Sequence, residues 1–136
     1  MVPIISFVGK HNSGKTTLLT DIIHILEQKG IKTAVVKHAH KGLNLPGNFD
    51  SDRLFSAGAS MVYASSPEFS LIYRRNQGDW SIEKIYAQIA DEVDLIITEG
   101  FKGQDFPKIE VLRRDISTSP LEITNVLARV ADFPLE

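Results

Sequence analysis

The sequence contains no cysteine, which excludes disulfides, thiolate metal ligands and cysteine nucleophiles. Its formal net charge is −2 at pH 7 and it has no basic stripe, so we do not expect a nucleic-acid surface. No apolar run approaches the ~20 residues of a membrane span, and the short apolar run near the amino terminus lacks the basic segment of a signal peptide. We therefore expect a cytoplasmic protein that binds neither nucleic acid nor membrane.

The composition that remains is typical of a soluble globular protein. The chain has 136 residues, of which 43% are hydrophobic and 24% are charged. A chain of this length can bury a substantial core without disulfides or metals. We predict a single domain spanning residues 1–136.

The most informative stretch is GKHNSGKT at residues 9–16, which fits the pattern G-x-x-x-x-G-K-[ST]. It lies between an apolar run and an apolar-periodic helix, which is the context of a phosphate-binding P-loop. Its glycines permit a tight turn whose backbone N–H groups point at an anion, and the helix N-terminus adds its dipole. The bland alternative is a turn that caps a helix. The predicted nucleotide-binding residues are Gly9, His11, Asn12, Ser13, Gly14, Lys15, Thr16 and Thr17.

The apolar patterns predict an α/β fold of the three-layer P-loop NTPase type, with a mostly parallel sheet and an antiparallel hairpin extension. A strand, a helix and a second strand at residues 2–37 predict a right-handed crossover within one parallel sheet. The turn at 65–68 joins two strands as the hairpin. Asp50 is predicted to cap a short helix, and Ser81 the next one. The predicted strands are 2–8, 33–37, 60–64, 69–74, 94–98, 108–113 and 126–130, and the first two helices are 15–29 and 51–57.

A P-loop also needs a carboxylate to hold Mg²⁺, which the Thr16 hydroxyl is predicted to ligate while Lys15 reaches the β- and γ-phosphates. The segment DLIITEG offers Asp94 and Glu99 at opposite ends of one predicted strand. At ~3.3 Å per residue, Asp94 would lie about 16 Å from the phosphate side of the sheet. We therefore predict Glu99 as the acidic partner of the metal, directly or through water. The alternative for Glu99 is a solvated loop carboxylate.

Four segments together resemble the molybdopterin-guanine dinucleotide biosynthesis protein B family: GKHNSGKTTLL, VKHAH, FDSDRLFSAGA and DLIITEGFKGQDFPKIEVLR. The EGFK…PKIEV segment is the most specific of these, because a P-loop alone would not select this family. The resemblance implies a dimeric P-loop protein that binds GTP with Mg²⁺ and hydrolyses it weakly. It also implies a partner, the molybdopterin guanylyltransferase that joins GMP to molybdopterin.

The same resemblance assigns roles to individual residues. It makes residues 9–17 the phosphate cradle, Asp50 an acidic group near the Mg²⁺, and Glu99 the strand-end carboxylate. Lys15 and Glu99 are then the candidate catalytic residues. Gly100, Phe101 and Lys102 would form a loop beside the phosphates. Lys10 lies where some dimerising relatives carry a signature lysine, although a solvated loop lysine is the simpler interpretation.

Several other polar and aromatic residues have more than one interpretation from the sequence. His38 and His40 have a spacing that would suit a metal, but a polar phosphate-side loop is favoured because no third ligand is near in sequence. Arginine pairs could hold an anionic pterin phosphate of a molybdopterin-containing ligand or pair with a carboxylate of a partner protein, or they could form a solvated rim. Phenylalanines around the glycine loop could anchor a partner or close the core. These residues are Arg74, Arg75, Arg113, Arg114, Phe101 and Phe106.

Three functions compete on the sequence. The leading one is a GTP-binding accessory protein of molybdenum-cofactor biosynthesis, and its guanine preference rests on the resemblance because no N-K-x-D element is present. A small-molecule kinase using ATP or GTP would need an arginine-bearing lid, which the sequence does not show. A signalling GTPase is disfavoured by the missing N-K-x-D. The hairpin, with Val62, Ile72 and Tyr73, predicts an edge that pairs in a homodimer.

Overall fold

The computed structural model describes residues 1–10, 13–39, 41–45, 47–101 and 103–135. These residues form two compact units: Met1–His40 with Tyr86–Glu136, and Lys41–Ile85. Over the described ranges, no helix combines the length and the apolar character that crossing a bilayer requires.

The secondary structure follows the predicted order, with bounds that differ by one or two residues. The strand predicted at 94–98 begins and ends one residue later, which makes Glu99 its last residue. In chain order the elements are β1 (Ile4–Val8), α1 (Lys15–Gln28), β2 (Thr33–Lys37), α2 (Asp50–Ser56), β3 (Met61–Ser65), β4 (Ser70–Arg74), α3 (Ile82–Ile89), a 3₁₀ turn (Ala90–Glu92), β5 (Leu95–Glu99), β6 (Lys108–Leu112) and β7 (Val126–Ala131).

The first unit is built on a five-stranded sheet with the order β2-β5-β1-β6-β7. Every neighbouring pair in it is parallel, so the carboxyl ends of all strands lie at one edge. The prediction that the first two strands share one parallel sheet is confirmed, with β5 lying between them. The predicted fold class is also confirmed, because helices accompany this sheet and a separate antiparallel pair is present.

The core of the first unit lies between α1 and the sheet. Phe7, Leu19, Ile97 and Val111 form its buried centre. The predicted inner face of α1 is confirmed, because each of its apolar residues belongs to this cluster or packs against it. These residues are Leu18, Leu19, Ile22, Ile23 and Leu26. Burial of this one stripe fixes α1 over β1 and β5, and it therefore fixes the loop that joins β1 to α1.

The second unit contains the predicted antiparallel hairpin, which pairs β3 with β4 as a sheet of its own. Successive side chains of a strand point to opposite faces. Ile72 therefore shares an exposed face with Tyr63, its cross-strand partner, whereas Val62 and Tyr73 form the other face. The Tyr73 ring lies 5.7 Å from that of Phe55 on α2. The three apolar residues predicted to work together thus lie on two different faces.

The start of α2 corrects the prediction that Asp50 caps this helix. Asp50 is the first helical residue, and no side chain caps the helix from the preceding position, Phe49. Instead, the buried carboxylate of Asp52 accepts hydrogen bonds from the backbone N–H groups of Gly47 at 2.8 Å and Phe49 at 3.2 Å. A carboxylate one turn into the helix can reach back to these groups, which Asp50 cannot. For α3, the predicted cap is confirmed, since Ser81 Oγ accepts the Lys84 N–H.

Candidate functional site

The P-loop begins where β1 ends, at the carboxyl edge of the sheet. A Cβ at Gly9 would lie 2.6 Å from the Val111 carbonyl oxygen and 2.8 Å from Ser13 Oγ, so this position accommodates only glycine without a backbone shift. Gly14 has φ +91°, a left-handed conformation that glycine adopts without strain, and α1 begins directly after it. His11 and Asn12, two of the predicted nucleotide-binding residues, lie outside the described residues.

Two polar side chains of the P-loop have hydrogen-bond donors that the described residues do not use. Lys15 Nζ donates to the Gly9 carbonyl oxygen at 3.1 Å, which uses one of its three protons. The Ser13 side chain is only 5% exposed, and its hydroxyl has no hydrogen-bond partner within the described part of the chain. A buried hydroxyl without a partner costs free energy, and a ligand oxygen would relieve that cost. The loop therefore has the donors that a phosphate chain requires.

The predicted metal-binding pair is brought together across two elements. The Thr16 hydroxyl, in the first turn of α1, donates to the Glu99 carboxylate at 3.1 Å. This proximity follows from the topology, because β5 lies beside β1 and Glu99 is in register with Phe7 near the carboxyl end of β1. A hydroxyl and a carboxylate oxygen are ligands that Mg²⁺ prefers.

The two other carboxylates considered for the metal behave differently. Asp94 lies just before β5 at the amino edge, where it accepts the Lys32 backbone N–H at 2.9 Å. The position of Asp94 at the amino edge agrees with the strand-polarity argument that set it apart from the metal. Asp50 belongs to the second unit, and its exposed carboxylate pairs with Arg53 of the same helix. Its role near a metal stays a prediction.

The loop after β5 adopts a conformation that few residues favour. Gly100 has φ +99° and Phe101 has φ +55°. The Gly100 carbonyl accepts a hydrogen bond from Ser6 Oγ at 2.9 Å, and the Phe101 ring stacks on His38 with ring centroids 4.9 Å apart. A positive φ at a bulky residue is strained and persists only where its surroundings hold it. Lys102, predicted to belong to the same loop, lies outside the described residues.

A cavity of about 1060 Å³ opens at this edge of the sheet, large enough for a nucleotide. The P-loop, Thr17, Glu99 and the loop after β5 contribute to its walls. Lys37 and Gln104, which no sequence motif indicates, also line it. Lys37 ends β2 at the same edge and is in register with Glu99, so the polarity of the parallel strands predicts its place there.

The remaining candidates separate by location. Of the four arginines, Arg113 lines the cavity, whereas Arg114 lies over the Phe133 ring. Arg74 lies over Trp80 and Arg75 over Phe55 in the second unit.

The remaining basic candidates are Lys10 and the pair His38 and His40. Lys10 Nζ donates to Ser117 Oγ at 2.8 Å within the same chain. Of the histidine pair, His38 stacks on Phe101 and His40 lies outside the described residues. Among the described residues, no group of three His, Asp or Glu side chains could hold a metal.

Comparison with known proteins identifies relatives over nearly the whole chain. The sequence profile of the family described as molybdopterin guanine dinucleotide synthesis protein B matches residues 4–132. A molybdopterin-guanine dinucleotide biosynthesis adapter protein from Haemophilus influenzae is 35% identical over 99% of this chain and 78% of its own length. The protein of the same description from Escherichia coli is 31% identical over 99% of this chain and 81% of its own length.

Solved structures agree with these matches. The crystal structure of a molybdopterin-guanine biosynthesis protein B aligns with a TM-score of 0.77 at 31% identity, covering 98% of this chain and 85% of the other. The crystal structure of Bacillus subtilis MobB aligns with a TM-score of 0.76 at 28% identity, covering 97% and 81% of the two chains. The P-loop, Glu99 and the loop after β5 all fall within the residues that the family profile matches. The chain therefore belongs to the molybdopterin guanine dinucleotide synthesis protein B family.

Proposed function

We propose that this protein is a GTP-binding adapter in the biosynthesis of the molybdopterin guanine dinucleotide form of the molybdenum cofactor. The family assignment supports the pathway, and curated relatives are named adapter proteins of that biosynthesis. One observation carries the nucleotide part of the proposal: the Thr16 hydroxyl and the Glu99 carboxylate meet 3.1 Å apart beside the P-loop.

The residues at this edge fit a Mg²⁺-bound triphosphate. Ser13 offers a buried hydroxyl without a partner within the described residues, and Lys15 offers unused donors beside it. Thr16 and Glu99 offer hard oxygen ligands for the metal, which would neutralise phosphate charge when bound. The preference for guanine over adenine rests on the family resemblance, since no base-selecting motif is present in the sequence.

In this function the chain's own residues bind and orient rather than transfer a group. Lys15 holds phosphate charge, Glu99 and Thr16 hold the metal, and the loop after β5 closes one side of the cavity. Weak hydrolysis is what the family resemblance implies, with Lys15 and Glu99 as the candidate catalytic residues, both of which line the cavity. The nucleotide state, more than turnover, would then govern the adapter's association with its partner.

The test is a calorimetric titration of the protein with GTP, GDP and ATP, with and without Mg²⁺. We expect GTP·Mg²⁺ to bind best and Lys15→Ala to weaken it by about 100-fold, because a charge-assisted contact to phosphate is lost. Lys29→Ala, at the opposite end of α1, is the matched control and should leave the affinity unchanged. Equal affinity for GTP in the Lys15→Ala variant and the wild type would refute the proposed site.

The same titration addresses the kinase alternative. A clear preference for ATP, with transfer of its phosphoryl group to a small acceptor, would favour a kinase over an adapter. We propose the molybdopterin guanylyltransferase as the partner and a homodimer as the assembly, both from the family resemblance. The exposed Ile72 and Tyr63 face of the hairpin is the proposed dimer contact.

A further inference from the structure

Lys108 is the first residue of β6 and is completely buried. Its ammonium donates hydrogen bonds to three backbone carbonyl oxygens, those of Gln104, of Phe106 at 3.1 Å and of Thr124 at 3.0 Å. A lysine ammonium has three protons, so each has one acceptor. Among the described residues, Lys108 Nζ donates to these carbonyls and makes no hydrogen bond to Gly9, Ser13, Lys15, Thr16 or Glu99.

A buried ammonium is costly unless its surroundings compensate it. In the described chain, the ion pairs do not include Lys108, and its compensation comes from carbonyl dipoles alone. Glu110, two residues along the same strand and equally buried, instead pairs with Arg129 at 2.8 Å and accepts the Leu121 N–H at 2.7 Å. Lys108 and Glu110 therefore hold different segments of the chain.

Two of the three carbonyls acting on Lys108 belong to the connection between β5 and β6. The Gln104 N–H closes a turn on the Phe101 carbonyl at 3.0 Å, and the Gln104 carbonyl in turn accepts from Lys108. At the other end, Ser6 Oγ holds the Gly100 carbonyl. The segment from Gly100 to Pro107, which we call the β5–β6 loop, is thus fixed at both ends by buried donors.

The β5–β6 loop forms one wall of the cavity. Gly100, Phe101, Gly103 and Gln104 line it directly beside Glu99. Among these residues, Phe101 has φ +55°, which is strained for a bulky side chain and persists only where its surroundings maintain it. Loss of the Lys108 contacts would leave carbonyls unsatisfied and remove one of the two anchors that maintain this shape.

We propose that Lys108 is a positioning residue of the phosphate site, which holds the β5–β6 loop in the shape that meets the terminal phosphate of a bound triphosphate. The proposal rests on the proposed function for the identity of the ligand. The loop follows Glu99, the residue that meets Thr16, so a Mg²⁺ ion held by these two residues would bring the end of the phosphate chain, rather than the base, next to it. Loss of the anchor should therefore affect a triphosphate more than a diphosphate.

The first measurement needs no nucleotide. Amide hydrogen exchange, followed by mass spectrometry on peptides covering the β5–β6 loop, compares the wild type with Lys108→Met, which keeps length and removes the donors. We expect about tenfold faster exchange in this loop, because hydrogen bonds to the buried charge are lost. Glu110→Gln is the matched control and should accelerate exchange around Leu121 and Arg129 while leaving the β5–β6 loop unchanged.

The second measurement titrates the same variants with a non-hydrolysable GTP analogue and with GDP, both with Mg²⁺. We expect Lys108→Met to lower the affinity for the triphosphate by about tenfold, which is the effect of losing one charged contact. Its affinity for the diphosphate should fall by less than twofold. Glu110→Gln should change both affinities equally or not at all. Lys108→Gln retains two donors, so it should fall between wild type and Lys108→Met, and it serves if Lys108→Met does not fold.

The outcomes separate the two proposals. Faster loop exchange together with a selective loss of triphosphate affinity supports the positioning role. Unchanged loop exchange in both Lys108 variants overturns it, as does an equal loss of triphosphate and diphosphate. If the wild type binds no nucleotide, the proposed function fails, and the exchange data alone then decide whether Lys108 anchors this loop.

Discussion

The carboxyl edge of the parallel sheet and the α2–hairpin unit use buried polar groups in opposite ways. At the sheet edge, the Ser13 hydroxyl is buried without a partner among the described residues, and Glu99 has the Thr16 hydroxyl beside it. In the second unit, the Asp52 carboxylate is 3% exposed and accepts from the Tyr73 hydroxyl at 2.7 Å and from two backbone N–H groups. The polar groups at the sheet edge can therefore still bind a ligand, whereas the hydrogen bonds of Asp52 stabilise the second unit itself.

This difference separates a site from a structural contact by physical criteria. A buried polar atom that lacks a partner costs free energy, which folding alone does not recover. Among the described residues, two such side-chain atoms are Ser13 Oγ in the P-loop and Thr98 Oγ1 in β5, next to Glu99 in the chain. Asp52 is different, because its carboxylate accepts hydrogen bonds from the segment before α2, through Gly47 and Phe49, and from Tyr73 on β4. We therefore expect substitutions at the sheet edge to affect ligand binding, and substitutions at Asp52 to affect stability.

Within this comparison, the largest effect is expected for substitution of Glu99, the last residue of β5. Glu99→Gln keeps the shape of the side chain and removes its charge, so it should weaken Mg²⁺-dependent nucleotide binding by about tenfold and metal-free binding much less. Asp94→Asn is the matched control at the amino edge and should show no metal-specific defect. Titration with and without Mg²⁺ measures both. If the two variants exchanged phenotypes, the assignment of the carboxyl edge would be wrong.

The next effect is a pH dependence of stability that arises from the Asp52 carboxylate. Burial would raise the pKa of Asp52, but hydrogen bonds from the Tyr73 hydroxyl and the backbone N–H groups of Phe49 and Gly47 outweigh it and hold the pKa below its usual value. A carboxylate with a lowered pKa stabilises the fold above its unfolded-state pKa of about 3.9 and loses that contribution as pH falls through the folded value. Asp52→Asn should therefore lower stability at pH 7, and its difference from wild type should shrink under acidic conditions.

Urea denaturation of both proteins between pH 7 and pH 2.5 measures this change. Asp50→Asn is the control on the same helix, since its exposed carboxylate pairs only with Arg53, and an exposed pair contributes little. A difference between wild type and Asp52→Asn that stays constant across this range would show that the Asp52 charge is not the cause.

The smallest effect on folding is expected at the hairpin surface. Ile72 is 54% exposed, so Ile72→Lys should leave unfolding almost unchanged while disrupting the proposed dimer contact. Light scattering should give a mass near twice 15.1 kDa for the wild type at micromolar concentration and a lower mass for the variant. Ile25→Lys, at an equally exposed isoleucine of α1, should remain dimeric. A wild type that is monomeric at every concentration would remove the dimer from the proposed function.

The regular elements were predictable because their signals are local. The spacing of Leu18, Leu19, Ile22, Ile23 and Leu26 indicates one helical face, and that face is the one that packs on the core. Ser81 was recognised as a cap because a cap acts within one turn of its helix. The prediction that Asp50 caps α2 is wrong, because the Asp52 carboxylate accepts the backbone N–H groups before the helix instead. The sequence places two carboxylates in the first turn and does not show which of them forms these hydrogen bonds.

The sequence by itself determined the P-loop, the strand polarity that separates Glu99 from Asp94, and the family. These properties depend on residue types and spacings within single segments, and the EGFK…PKIEV segment carried the family resemblance. The tertiary structure decided which side chains meet across segments. It placed β5 beside β1, so that Thr16 and Glu99 lie 3.1 Å apart, and it buried Lys108 under the β5–β6 loop. The Thr16–Glu99 contact joins residues 83 positions apart in sequence, and only the packing of the sheet determines it.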